Sequence, residues 1–181
     1  MTKYIKTLLI IIFGLSLSSM NIYDIKFEDG KTGKEINMSD YKGKVIMVVN
    51  TASLCGFTKQ YGAMQELWDK YRDKGFVLIG VPTNDFSNQE PGTDAQIHDF
   101  CELNFGINFI ITKKVTSKSK NKHPFFKLVS DEFSLGSGPN WNFYKYIFSS
   151  EGKSLNWYSS LTKPDSHRIK NLIETNLPHA K

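Results

Sequence analysis

Two short runs of the chain carry no polar side chain at all, Val45-Ile46-Met47-Val48-Val49 and Phe76-Val77-Leu78-Ile79-Gly80-Val81. Each is of strand length and offers nothing to water on either face, which predicts strands covered on both sides. Between them Tyr61, Met64, Leu67, Trp68 and Tyr71 recur at helical spacing, and Gly75 follows as a stop. Buried strand, helix, buried strand is a parallel βαβ unit, whose crossover is right-handed.

The rest of the chain extends that unit. Ile22 to Phe27 reads as an earlier strand, and the first buried run extends over Lys44 to Asn50. Thr93-Asp94-Ala95-Gln96 has the form of a capping box and opens a second helix running to about Asn104. Pro124 to Ser130 is a third helical stretch. Asn142 to Ser149 and Ser154 to Tyr158, joined around Glu151-Gly152, read as an antiparallel hairpin. Thr162-Lys163-Pro164-Asp165 is expected to cap a last helix with Ile169, Leu172 and Ile173 on its apolar face. A parallel βαβ unit followed by a hairpin and a helix predicts an α/β chain with a thioredoxin-like fold, a central mixed β-sheet flanked by helices.

The N-terminus has a different character. Lys3 and Lys6 precede an apolar run from Leu8 to Leu15, and Ser16-Leu17-Ser18 is a small-x-small exit. Residues 1–18 are therefore expected to be a signal peptide, and 19–181 the folded domain. The apolar run is about half of the roughly 20 residues that span a bilayer, so a retained N-terminal anchor is the less favoured alternative. No Cys follows it, which excludes a lipoprotein anchor. The chain is expected to be exported, to a periplasm, a secretory compartment or the medium. Cleavage would remove two lysines and no acid, lowering the net charge of +5 by two. So mild an excess gives no reason to expect nucleic acid as a partner.

Only two cysteines occur, Cys55 and Cys101, too few for a disulfide-dense scaffold or a zinc ribbon. The four histidines never fall at i, i+3 or i, i+4 spacing, so no transition-metal site is expected. Cys55 lies between a buried strand and the start of a helix. Helix N-termini carry unpaired N–H groups and partial positive charge, which stabilise a thiolate. Gly56 beside it lets the backbone come close to whatever the sulfur attacks. A dithiol oxidoreductase would need C-x-x-C, but the run is Cys55-Gly56-Phe57-Thr58. A peroxiredoxin would need Thr three residues before its Cys, where this chain has Ala52.

A wider pattern accounts for Cys55 better. Lys44 to Thr58 (KVIMVVNTASLCGFT) resembles the peroxidatic-Cys block of the glutathione peroxidase family. Gly75 to Gly92 (GFVLIGVPTNDFSNQEPG) is similar to its second block, GFxxLxFPCNQFxxQEPG, and Trp141 to Tyr146 to its third, WNFxKF. His123-Pro124 and the stretch from Pro164 into the last helix also fit, so the resemblance runs from about residue 22 to 176. It implies that Cys55 is the peroxidatic residue, a position held by selenocysteine in some members. It also implies that Gln89, Trp141 and Asn142 surround the sulfur, where their N–H groups can stabilise a thiolate and negative charge on the departing oxygen. The reaction so implied reduces hydrogen peroxide and organic or lipid hydroperoxides, leaving a Cys55 sulfenic acid that thiols return to the thiol. It calls for no metal, flavin or haem, only an external thiol reductant, glutathione or a thioredoxin-like protein.

Further expectations rest on the same resemblance. Cys101 is a candidate resolving residue, in the region where thioredoxin-dependent members keep theirs but one position early by an ungapped count. The short stretch between Phe126 and Trp141 resembles monomeric members that act on phospholipid hydroperoxides. The lysine-rich run from Lys113 to Lys122 is a candidate surface for anionic head groups of membrane lipids. Thr83-Asn84-Asp85 stands where the family usually reads Cys-Asn-Gln, and Asp85 is expected to face solvent. Two alternatives remain open at this level. One is a thiol–disulfide oxidoreductase or redox sensor without efficient peroxide turnover; the other is a secreted interaction domain stapled by a Cys55–Cys101 disulfide.

Overall fold

The structure is a computed structural model that describes residues 20–133 and 136–178. The expected leader, residues 1–18, lies outside them. The described residues form β1 (Lys26–Glu28), β2 (Glu35–Asn37), β3 (Val45–Thr51), β4 (Phe76–Pro82), β5 (Ile110–Ile111), β6 (Lys145–Phe148) and β7 (Ser154–Tyr158). Their helices are α1 (Gln60–Tyr71), α2 (Asp94–Phe105), α3 (Pro124–Glu132) and α4 (His167–Glu174).

β3 to β7 make one sheet in the order β5-β4-β3-β6-β7. β3 runs parallel to β4 and β4 to β5, while β6 is antiparallel to β3 and β7 to β6. Every residue of β3 and β4 is buried, because both faces of the sheet are covered. Val45, Met47 and Val49 point into one core with Tyr61, Met64 and Leu67 of α1 and Ile169 and Ile173 of α4. Ile46 and Val48 point into the other, with Phe125, Phe126 and Val129 of α3 and the N-terminal residues Ile22, Ile25 and Phe27. This two-residue alternation on a strand without polar positions is what covering on both sides demands. The architecture is the thioredoxin-like one, a mixed central sheet with helices on both faces.

The local signals in the sequence have specific outcomes. The α2 capping box forms: Gln96 N–H donates to Thr93 Oγ1 at 3.3 Å, and Thr93 N–H to Gln96 Oε1 at 2.9 Å. Gly75 stops the α1 region with φ +88°, a left-handed conformation that favours glycine. Ile22 to Phe27 is not one strand. Asn21 accepts from Tyr23 N–H at 3.1 Å and Asp24 from Asn21 N–H at 2.8 Å, which curls Ile22–Asp24 into a 3₁₀ turn. Only Lys26–Glu28 remains extended, paired with β2 in a separate ladder. The hairpin begins at Lys145 rather than Asn142, since Phe143 takes φ +65° and breaks the strand before it starts. The last helix is preceded by a turn over 163–166, with Ser166 N–H on the Lys163 carbonyl at 3.1 Å, so Ser166 is its N-cap residue. Among the described residues no helix is long and apolar enough to cross a membrane.

Candidate active site

Cys55 sits in the loop between β3 and α1. Because α1 opens only at Gln60, the sulfur lies outside its first turn, and the expected helix terminus is replaced by a chain of tight turns. Thr58 N–H bonds the Cys55 carbonyl (3.0 Å), Gln60 N–H that of Phe57 (2.8 Å) and Tyr61 N–H that of Thr58 (3.0 Å). Within this coil the Phe57 N–H points at Cys55 Sγ from 3.5 Å. Thr58 fixes the coil from inside: its Oγ1 accepts from Cys55 N–H at 3.1 Å and donates to the Ala52 carbonyl at 2.9 Å. Cys55 is 8% exposed, and the space beside Gly56 is open.

Two other segments close on this loop. The turn after β4 places Ser87 and Asn88 in the left-handed region, φ +56° and +51°, and so turns Gln89 back toward the Cys55 loop. The Gln89 carbonyl there accepts from Leu54 N–H at 3.0 Å. Asn142, fully buried, donates through Nδ2 to Gln89 Oε1 at 2.9 Å. That bond leaves the Gln89 amide hydrogens free to meet a further acceptor, and Asn142 Oδ1 is buried without a partner. The Trp141 ring packs on Phe86 with centroids 6.1 Å apart, half-buried between the two cores. Gln89 and Asn142 are therefore joined to each other and to the Cys55 loop, while Trp141 adjoins them through the backbone and through Phe86.

The glutathione peroxidase family profile matches residues 22–130. The chain belongs to the glutathione peroxidase family. It is 44% identical over 149 residues to glutathione peroxidase-like peroxiredoxin 2 of Saccharomyces cerevisiae, covering 81% of this chain and 91% of that protein. It is 39% identical over 141 residues to the hydroperoxy fatty acid reductase gpx1 of Synechocystis sp., covering 74% and 83%. Among solved structures, the apo crystal structure of Trgpx superposes with a TM-score of 0.70 at 29% identity, over 88% of this chain and 96% of that one. This is a glutathione peroxidase-like thiol peroxidase, an enzyme that reduces hydroperoxides with electrons from thiols.

Cys101 stands apart from the other residues that the sequence singled out. It lies on α2, 1% exposed, in the core beneath α1 and beside Tyr61. Burial pushes its thiol up to about 11, so it rests protonated. Both cysteines are free. Glu90, next to Gln89, is also buried, and desolvation raises its carboxyl above the usual range.

Asp85, expected to face solvent, is partly exposed, with its carboxylate turned to the 117–118 segment. Its carboxylate accepts from Ser117 N–H, from Ser117 Oγ (2.9 Å) and from Lys118 N–H (3.2 Å), and these bonds hold it below the usual carboxylate range against its partial burial. The charge that stands in place of the family's Gln is thus spent on tying down the 117–118 turn. The lysine run is likewise partly committed. Lys113 pairs with Glu28 at 2.6 Å, Lys114 donates to the Glu90 and Gly92 carbonyls, and Lys118 lies 4.2 Å above the Phe86 ring.

Two positioning groups are absent from the sequence-based site, Asn50 and Ser160. Asn50, buried at the end of β3, donates through Nδ2 to the Trp141 carbonyl (2.9 Å) and accepts through Oδ1 from Tyr144 N–H (2.8 Å). A carboxamide ending an otherwise apolar strand was its signal. Ser160 Oγ donates to the Asn142 carbonyl at 2.5 Å, and nothing in its local sequence marks it.

Beyond Gly56 and Phe57 a groove of about 420 Å³ runs between Lys59, Gln60 and Ala63 on one side and Leu161 to Asp165 on the other. Leu54, within the Cys55 loop, and Leu161, which lines the groove, are 63% and 82% exposed.

Proposed function

We propose that Cys55 is the peroxidatic nucleophile and that Gln89, Asn142 and Trp141 form its polar surround. The observation that carries this reading is the bonded path from Leu54 N–H through Gln89 to Asn142, which ties both carboxamides to the residue beside Cys55. In the reaction the Cys55 thiolate attacks the terminal oxygen of ROOH. The S–O bond forms as the O–O bond breaks, giving Cys55–SOH and RO⁻, which takes a proton and leaves as ROH. The free Gln89 amide hydrogens suit the charge developing on RO⁻. The unpartnered Asn142 Oδ1 suits the O–H of the incoming peroxide.

A second thiol then condenses with the sulfenic acid, releasing water and forming a disulfide. Cys101 is the proposed resolving thiol, provided α2 loosens to release it. Glutathione or a thioredoxin-like protein is the proposed donor that reopens the disulfide. The exposed Leu54 and Leu161 and the groove beside Cys55 favour hydroperoxides with apolar bodies, and fatty acid or membrane lipid hydroperoxides are the proposed substrates beside hydrogen peroxide. Residues 1–18 are proposed to export the enzyme, with retention as an N-terminal anchor as the alternative, and it is proposed to act as a monomer.

The test follows peroxide consumption by the reduced protein supplied with a dithiol. Cys55→Ser should abolish turnover, and Asn142→Ala should slow oxidation of Cys55 by about 100- to 1,000-fold, as loss of one polar group at the reacting oxygens does. Undiminished turnover in Cys55→Ser would overturn the assignment.

A further inference from the structure

β6 carries a lysine inside the core. Lys145 is fully buried, registered opposite Val49 of β3 on one side and Tyr158 of β7 on the other. Its ammonium donates to two backbone carbonyls of the loop that follows β7, Thr162 O at 2.6 Å and Ser159 O at 3.3 Å. No carboxylate among the described residues forms an ion pair with it. Among the described residues the hydrogen bonds of the ammonium run to these two carbonyls, and burial alone pulls it down to about 7. An unpaired buried ammonium is a costly way to fill a strand position, and an unbranched apolar side chain would cost less.

What Lys145 holds is the 159–162 loop, and that loop holds the site. Ser160 Oγ donates to the Asn142 carbonyl at 2.5 Å. The Ser160 carbonyl in turn accepts from Gln60 Nε2 at 2.6 Å, at the start of the helix that follows the Cys55 loop. Asn142 then reaches Gln89 at 2.9 Å. We propose that Lys145 is a positioning residue of the peroxide-reducing step, which fixes the 159–162 loop so that Ser160 keeps Asn142 against Gln89. The inference rests on the reading of Asn142 as a group that handles the peroxide. A lysine that only closed the loop would affect stability without affecting the rate through Asn142.

The test is a double-mutant cycle on the full chain. It reads the first-turnover rate of Cys55 oxidation by cumene hydroperoxide, from quenched thiol titration, together with the thermal midpoint of each variant. Lys145→Met is expected to slow oxidation about 10-fold, since small displacements of a positioned group cost that much or more. Its melting temperature should be unchanged or higher. In an Asn142→Ala background the same substitution should have no further effect, because the two residues act through one path. Ser160→Ala cuts the path with Lys145 in place and should also slow the step; it decides the matter if Lys145→Met does not fold.

A folded Lys145→Met with the wild-type rate overturns the proposal, as does an undiminished 10-fold loss in the Asn142→Ala background. If Lys145→Met does not fold, a wild-type rate in Ser160→Ala overturns it. Failure of the peroxidatic reading itself would look different, because the wild-type protein would then leave Cys55 unoxidised.

Discussion

Asn50 ends the apolar run of β3 with both ends of its carboxamide committed, one to the Trp141 carbonyl and one to the Tyr144 amide. The Phe143 amide between them bonds the Asn50 carbonyl at 2.6 Å, so one residue anchors the segment that presents Asn142. Asn50→Leu would leave a buried carbonyl and a buried N–H unpaired, at about 1–3 kcal/mol each. Urea unfolding should show that loss, and the rate of Cys55 oxidation should fall with it; a variant of wild-type stability would contradict the anchoring role. Lys145 makes a prediction of opposite sign. Its ammonium titrates near 7 in the fold and near 10.4 in an unfolded chain. Between those values the unfolded chain binds more protons, so this group makes stability rise with pH from about 7 toward 10 and adds no slope outside that window. The slope of melting temperature against pH should therefore be steeper in the wild type than in Lys145→Met, and equal slopes would show that the ammonium is not depressed.

At the scale of elements, α2 is where the proposed cycle asks most of the fold. Cys101 is sealed beneath α1 with its thiol held protonated, so it reaches a Cys55 sulfenic acid only if α2 opens. Hydrogen exchange should show the α2 amides protected in the reduced enzyme and exposed once the Cys55–Cys101 disulfide has formed. Protection unchanged in the disulfide form would contradict the opening. The elements themselves were mostly legible. β3, β4 and α1 have patterns that allow one burial arrangement, and the α2 capping box is a local chemical signal that formed as written. Ile22–Phe27 was misread because the Asn21–Asp24 cap outcompeted strand propensity. The start of β6 was misplaced because the left-handed Phe143 is a tertiary consequence of the Asn50 latch. Cys55, Gln89, Trp141 and Asn142 were singled out by their place in a family pattern, and of these the structure ties Gln89 and Asn142 to the Cys55 loop. The 159–162 loop and its ties to Asn142 and Lys145 were not legible, since they join residues distant in sequence by backbone carbonyls that any side chain could carry.

Across the whole molecule, the mixed sheet brings the loop after β3, the turn after β4 and the approach to β6 to one end of its central strands. Each of those segments supplies one part of the proposed site, Cys55, Gln89 and Asn142 in turn. β3 lies between β4 and β6 in the sheet, so the three segments are neighbours by topology. The central claim is that this constellation reduces a hydroperoxide at Cys55 and resolves the product through Cys101. Its most direct test is the intact mass of the pre-reduced protein shortly after one equivalent of an organic hydroperoxide. The account predicts loss of two hydrogens, replaced by gain of one oxygen in Cys101→Ser and by no change in Cys55→Ser. An unchanged mass in the wild type, or a loss of two hydrogens that persists without Cys55, would contradict it.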